Sequence, residues 1–371
     1  MTLAVSLRAF AADSVVKLKR DENFFPLGVW LQSPANAERY KAAGINTYVG
    51  LWKGPTEELF NQVKAAGLKI VCDQNAVGLA HKDDPTIIAW MQDDEPDNAQ
   101  YAMKGYGPPV NPAKVVARYD EIHKADPSRP VLLNLGQGVA WDYYIGRGMR
   151  RNHPEDYPEY VKGGDIVSFD IYPVTHNEAA IRGKLEYVAT GVERLKKWAG
   201  PDREVWNCIE AKIGDNGVRV KPEQLRAEVW MSIINGSRGL IYFVHQFKPK
   251  FREASIFDDA DLLKGLTEVN KRIADLAPVL NSGEYIPVTT VTKAPKSPIA
   301  AMAKKRGNDI YVFAVGMSRE PIDAALEMEL PGKYTVEVLD EARTIETPSA
   351  RLFDRFEGYQ AHLYKLTPAK N

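Results

Sequence analysis

Cysteine is scarce in this chain. Cys72 and Cys208 are the only two in 371 residues, and both sit inside apolar, strand-like runs, so they read as buried thiols and a disulfide framework is excluded. No apolar run approaches the roughly 20 residues of a membrane-spanning helix, so no membrane partner is expected. Neither sign of charge is in excess: 48 Lys and Arg stand against 49 Asp and Glu, which leaves no electrostatic footprint for a nucleic-acid partner. The six histidines, His81, His123, His153, His176, His245 and His362, are scattered without H-x-H or H-E-x-x-H spacing, so no metal site is expected. A G-x-S-x-G elbow is missing, which argues against a serine hydrolase. No G-x-G-x-x-G or Walker loop follows a strand; "GRGMRR" near residue 146 lacks the spacing, and no cofactor is implied.

What the chain does have is alternation. From about residue 24 to 285, short apolar runs ("FFPLGVWL", "INTYVGLW", "LKIVCDQN", "IIAWMQDD", "PVLLNLGQ", "DIVSFDIYPV", "EVWNCIEAK", "GLIYFVHQF") are separated by helical patterns such as "TEELFNQVKAAG" and "KPEQLRAEVWMSIINGS". Thr56 is placed to cap a helix, Gly44, Gly67 and Gly200 stand where helices should stop, and Leu225, Val229 and Ile233 recur at four-residue spacing. About eight strands alternating with helices predict an α/β fold, a (β/α)8 TIM barrel, with a doubly wound open sheet as the competitor. Residues 286–371 change texture to short runs between Gly, Pro, Asn and Asp turns, and predict a small C-terminal antiparallel β-sandwich. Residues 1–23 form an N-terminal arm. Its "AFAAD" resembles a secretory cleavage site, although Arg8 interrupts the apolar part, and a secreted or periplasmic location is favoured over a cytoplasmic one.

Chemistry is expected at the C-terminal ends of the strands, where a TIM barrel carries its active site. The fourth apolar run drives into Asp93, Asp94 and Glu95, and the seventh ends at Glu210. A glutamate at a strand end is commonly a solvated or helix-capping group. Two of them, delivered to one mouth, are what glycosidic bond cleavage requires: one protonates the leaving oxygen while the other attacks the anomeric carbon or activates water. On a regular strand Asp93 and Glu95 would point the same way, which keeps Asp93 as a rival for the acid role.

In these residues the chain resembles the large clan of retaining (β/α)8 glycoside hydrolases, whose acid/base glutamate ends the fourth strand and whose nucleophilic glutamate ends the seventh. The resemblance covers most of the chain, including a β-rich tail ending "FEGYQAHLYKL". It implies a retaining β-glycoside hydrolase, acting on oligo- or polysaccharide by double displacement, with Glu95 as acid/base and Glu210 as nucleophile. Tyr172, in "SFDIYPV", matches a tyrosine that often hydrogen-bonds the nucleophile, and "INGSRGLIYFVHQF" resembles the junction into the eighth strand. Asp94 departs from the clan, which has asparagine there. A catalytically silent carbohydrate-binding barrel is the alternative from another class.

Further substrate-binding candidates are Trp30, Trp52 and Trp141, whose faces suit sugar rings, and Asp73, Asn75, Asn134 and His245, which are placed to hydrogen-bond hydroxyls. For the aromatics the competing reading is barrel core, and for the polar groups it is strand capping. The long, aromatic and basic stretch "WDYYIGRGMRRNHPEDYPEY" reads as a subsite wall for a substrate with some negative charge, or as a solvated rim.

Overall fold

The computed structural model describes residues 15–102, 105–293, 298–347 and 349–369. The candidate secretory segment lies outside the described residues.

Each of the eight apolar runs forms a strand: β1 (Leu27–Trp30), β2 (Thr47–Val49), β3 (Lys69–Cys72), β4 (Ile87–Met91), β5 (Val131–Leu135), β6 (Ile166–Phe169), β7 (Asn207–Glu210) and β8 (Leu240–Phe243). They pair in parallel in the order β7-β8-β1-β2-β3-β4-β5-β6. A bridge between Asp170 and Cys208, together with the pairing of Glu204–Val205 on β6, closes the ring. The open-sheet competitor is therefore excluded and the (β/α)8 barrel stands.

Side-chain alternation divides the strands between two cores. Trp30, Val49, Val71, Ala89, Met91, Leu132, Ile166, Trp206, Cys208 and Ile241 fill the barrel interior. Their neighbours, such as Val29, Tyr48, Ile70, Trp90, Leu133, Val167 and Tyr242, pack outward against the helices. Leu18, on the N-terminal arm, packs with the interior set.

The helices begin and end where their residues require. Thr56 accepts from the Leu59 N–H at 3.2 Å and caps Glu57–Ala65. Gly200, at φ +73°, closes Glu186–Ala199 in a backbone conformation that a side chain would strain. In Pro222–Asn235 the stripe of Leu225, Val229 and Ile233 is buried as its spacing predicts.

After the last barrel helix, Ala260–Leu280, the chain turns to antiparallel strands in a six-stranded and a three-stranded sheet. These enclose a second core around Val312, Leu326, Val336, Leu352 and Leu366. Tyr334–Val338 shows the period of a half-buried strand, with Tyr334, Val336 and Val338 buried and Thr335 and Glu337 exposed. The outer sheet face lies against the barrel: Phe313 stacks on Trp230 with ring centroids 5.5 Å apart, and Asp340 pairs with Arg226 and Arg272.

Candidate active site

At the C-terminal ends of the strands a cavity of about 330 Å³ is lined by Trp30, Leu31, Trp52, Asp94, Glu95, Asn134, Asp170, Tyr172, Cys208, Phe243, His245 and Phe247. Of the residues expected there from the sequence, Trp30, Trp52, Asp94, Glu95, Asn134, Tyr172 and His245 meet in this cavity.

Glu95 arrives by an irregular turn. Its backbone is left-handed at φ +45°, and its N–H is tied to the Asn134 carbonyl on the neighbouring strand at 3.0 Å. That turn breaks the alternation of β4, so Asp94 and Glu95 reach the cavity. Asp93, the rival for the acid role, is exposed and does not line it.

The partner facing Glu95 is Asp170, immediately after β6, and each carboxyl bears on the protonation of the other. Burial first, and the charge of Asp170 next, hold Glu95 well above the usual carboxylate range, although Asn98 Nδ2 donates to Glu95 Oε2 at 2.8 Å. Burial also raises Asp170, to about 6, against the lowering influence of Glu95. Asp94 completes the group. At the cavity mouth, where it keeps solvent exposure, desolvation by the surrounding protein and the adjacent Glu95 push it up to about 7, against the pull of Asn134 Nδ2, which donates to Asp94 Oδ1 at 2.9 Å. Asn134 is fixed in turn by Ser168 Oγ, which donates to Asn134 Oδ1 at 2.7 Å. Behind the trio, Asp97 accepts from Gly136 N and Tyr157 Oη, both at 2.9 Å, and lies 3.7 Å from Arg147.

Glu210 departs from expectation. It is fully buried and does not line the cavity. Its carboxylate reaches sideways to the loop after β6 and accepts from Val174 N at 2.6 Å, Thr175 N at 3.0 Å and Thr175 Oγ1 at 2.7 Å. Glu228, on Pro222–Asn235, backs it: both Glu228 oxygens are buried without a hydrogen-bond partner among the described residues, and the charge of Glu210 bears on them. Burial raises both groups, Glu228 well above its ordinary value, so the pair keeps a proton. Alternation with Trp206 and Cys208 would send Glu210 inward, but three loop donors capture it.

Other expectations are redistributed. Asn75 caps Ala76–Ala80 by accepting from Gly78 N at 2.8 Å and donates to the Pro55 carbonyl at 2.8 Å, which makes it structural. Asp73 does not line the cavity either. Trp141 lines a second chamber of about 290 Å³ with Gln137, Tyr144, His176 and Lys212; Tyr172 borders both chambers. In the basic loop, Arg147 is a buried anchor between Asp97 and Asp156, and Arg150 pairs with Asp156, so those charges are neutralised internally.

His245 is held as a neutral ring, because burial lowers it to about 4, and its Nε2 lies 3.1 Å from the Leu31 carbonyl. Trp52 Nε1 donates to Glu253, which orients an indole that is 42 % exposed at the cavity rim. Sequence reasoning passed over Asp170, Lys212 and Phe243. For Asp170 a signal existed: an acid inside "SFDIYPV", between Phe and Ile at a strand end, is as unexpected as Glu95 unless it is used.

Among the described residues, no group of three or more His, Cys, Asp or Glu is arranged to hold a metal ion. The carboxyls facing each other between aromatic walls are the groups that proton transfer and nucleophilic attack require.

No protein-family model matches the sequence. No curated protein matches it either. Solved structures share its fold over nearly the whole chain. A catalytic mutant of a β-galactosidase from G. stearothermophilus superposes with a TM-score of 0.59 at 9% identity, over 93% of this chain and 98% of that one. An α-amylase from Geobacillus thermoleovorans complexed with acarbose gives 0.58 at 9% identity, over 95% and 100%. An Anoxybacillus α-amylase gives 0.50 at 10% identity, over 95% and 100%. This chain thus has the barrel-plus-β-domain fold on which these hydrolases are built.

Proposed function

We propose that the protein is a glycoside hydrolase whose reacting carboxyls are Glu95 and Asp170. The observation that carries this reading is their direct opposition in an aromatic-walled cavity at the C-terminal ends of β4 and β6. The two environments separate the roles: Glu95, the more strongly raised, keeps its proton as general acid, while Asp170 is the partner left ionised. Asp170 replaces Glu210 as the nucleophile because Glu210 is fully buried and engaged by the loop.

The finer reading is a retaining enzyme working by double displacement. Retaining sites separate their carboxyls by about 5 Å and inverting sites by roughly 6.5–9.5 Å. Two carboxyls that line one cavity closely enough to act on each other's protonation fit the shorter spacing better than the longer one. An Asp170 oxygen attacks the anomeric carbon as the Glu95 proton passes to the departing oxygen. Glu95 then takes a proton from the water that displaces Asp170. The β-linkage rests on the resemblance of "IIAWMQDDEPDN" and "INGSRGLIYFVHQF" to the clan. The fold is shared with an α-amylase as well as a β-galactosidase, so both anomers belong in the test.

The test is hydrolysis of paired α- and β-aryl glycosides and of polysaccharides by wild type, Glu95→Ala and Asp170→Ala, each with and without azide. Expected are turnover by wild type, loss in both variants, azide rescue of opposite anomeric outcome in the two, and first release of the retained anomer in proton NMR. A wild type that binds glycans and cleaves none would instead be the silent carbohydrate-binding barrel.

A further inference from the structure

The second chamber holds a cation that makes no direct salt bridge among the described residues, although the charges of Glu210, Asp215 and Asp170 act on it from a distance. Lys212, two residues beyond β7, has no hydrogen bond or salt bridge to protein among the described residues; its Nζ lies 4.5 Å from the Tyr172 ring centroid and 4.6 Å from that of Phe243. Those two rings line the main cavity and are stacked on each other at 5.0 Å, so the ammonium stands at the boundary of the two chambers.

Around it the chamber has the parts of a sugar subsite. Trp141 offers an indole face, oriented by an edge contact with His176 at 5.7 Å. His176 accepts from Glu178 N at its Nδ1, so its Nε2–H donates to Gln137 Oε1 at 2.8 Å, and the Gln137 amide N–H groups remain for a ligand. Of the neighbouring acids, Glu210 is held by the loop, Asp215 Oδ1 accepts from the backbone N–H groups of Phe247 and Lys248 at 2.9 and 3.0 Å, and Asp170 faces Glu95 in the main cavity. An ammonium whose direct contacts are aromatic faces, and which the surrounding carboxylates reach only through their longer-range charge, keeps its N–H donors for an anion that enters with the substrate.

We propose that this chamber is a subsite for an anionic sugar, with Lys212 Nζ and the Gln137 amide receiving the charged group at C6, as in a hexuronate, and Trp141 under the ring. The proposal rests on the glycosidase reading, since the chamber adjoins the Glu95–Asp170 pair across Tyr172. A carboxylate and a sulfate ester present the same chemistry to a lysine, and the experiment separates them.

The experiment compares aryl glycosides that differ only at C6 (the hexoside, the hexuronide and the 6-sulfate) with wild type, Lys212→Met and Lys212→Arg. Expected is a kcat/KM for an anionic member at least about tenfold above the neutral one, equivalent to one charge-assisted contact. Lys212→Met collapses that ratio through the KM of the anionic member, and Lys212→Arg retains most of it. A hexuronide preference identifies a carboxylate and a 6-sulfate preference identifies a sulfate; either supports the subsite. No preference in wild type, or a Lys212→Met variant that lowers anionic and neutral substrates alike, overturns it, because a lysine that only balances Asp170 would act on both. If wild type cleaves none of the three, the hydrolase reading fails by itself. Calorimetric titration with free hexuronate, hexose 6-sulfate and hexose then decides the subsite: an anion preference lost in Lys212→Met supports it, and equal or absent binding overturns it.

Discussion

At the residue scale, the three carboxyls of the main cavity set the pH behaviour. Asp170 must be ionised to attack, so the acidic limb of kcat/KM falls as pH drops through about 6. Glu95 must hold its proton, so activity falls again as pH rises through its own, strongly raised value. A bell displaced upward from the ordinary carboxylate range is expected from initial rates across pH 4 to 10; an acidic limb near the unperturbed value of about 4 would contradict the assignment. Asp94 raises Asp170 by its charge. Because Asp94 is itself pushed up to about 7 and is only partly ionised where Asp170 titrates, Asp94→Asn should move the acidic limb only slightly to lower pH, while Glu95→Gln, at any pH, loses roughly 10²–10⁴-fold. Equal pH profiles for wild type and Asp94→Asn would show that its charge does not reach the pair.

At the scale of elements, the alternation of eight apolar runs and helices was enough to read the barrel, because strand and helix periods, Thr56 as a cap and Gly200 as a stop are local signals. The directions of side chains at strand ends were not local. Glu95 owes its position to a left-handed residue pinned by the next strand, and Glu210 to donors from a loop 35 residues upstream. The same capture makes a prediction. Glu210→Gln breaks the complementarity with Val174 N and Thr175 N, which frees the loop carrying Thr175 and His176 into the second chamber. KM should rise more than kcat falls. Azide rescue of Glu210→Ala, with kinetics like those of Asp170→Ala, would return the nucleophile to strand seven. Glu228 supplies a stability counterpart. Its folded value is raised above the ordinary 4.5, so its contribution is fully present below that pH and is lost as pH rises towards the folded value. Glu228→Gln carries no charge at any pH. Its melting temperature, followed by circular dichroism, should match or fall below wild type near pH 4 and exceed it at pH 9; a constant offset across that range would refute the retained proton.

At the scale of the whole molecule, the β-domain meets the barrel at several elements, and one of them, the helix Pro222–Asn235, also serves the site. Met302, Phe313, Val315, Leu339 and Leu363 belong to the same packed cluster as the outer barrel helices, and Phe313 is stacked on Trp230, two residues after Glu228. Arg226 on this helix and Arg272 on the next hold Asp340 of the β-domain. A shared apolar boundary of this kind makes the two parts unfold together, because separating them would expose Trp230 and Phe313 to water. Phe313→Ala leaves a cavity against the Trp230 ring and should cost about 3–5 kcal/mol. Scanning calorimetry should show one transition in wild type and one transition, several degrees lower, in the variant; two resolved transitions with only the second domain shifted would separate the units. Since the helix also carries Glu228, slack at Trp230 should reach Glu210 and the loop it holds. Below its melting transition, Phe313→Ala should accordingly show a raised KM with kcat nearly retained, the same pattern as Glu210→Gln in weaker form. An unchanged KM would mean that the β-domain stabilises the barrel without steadying the substrate loop.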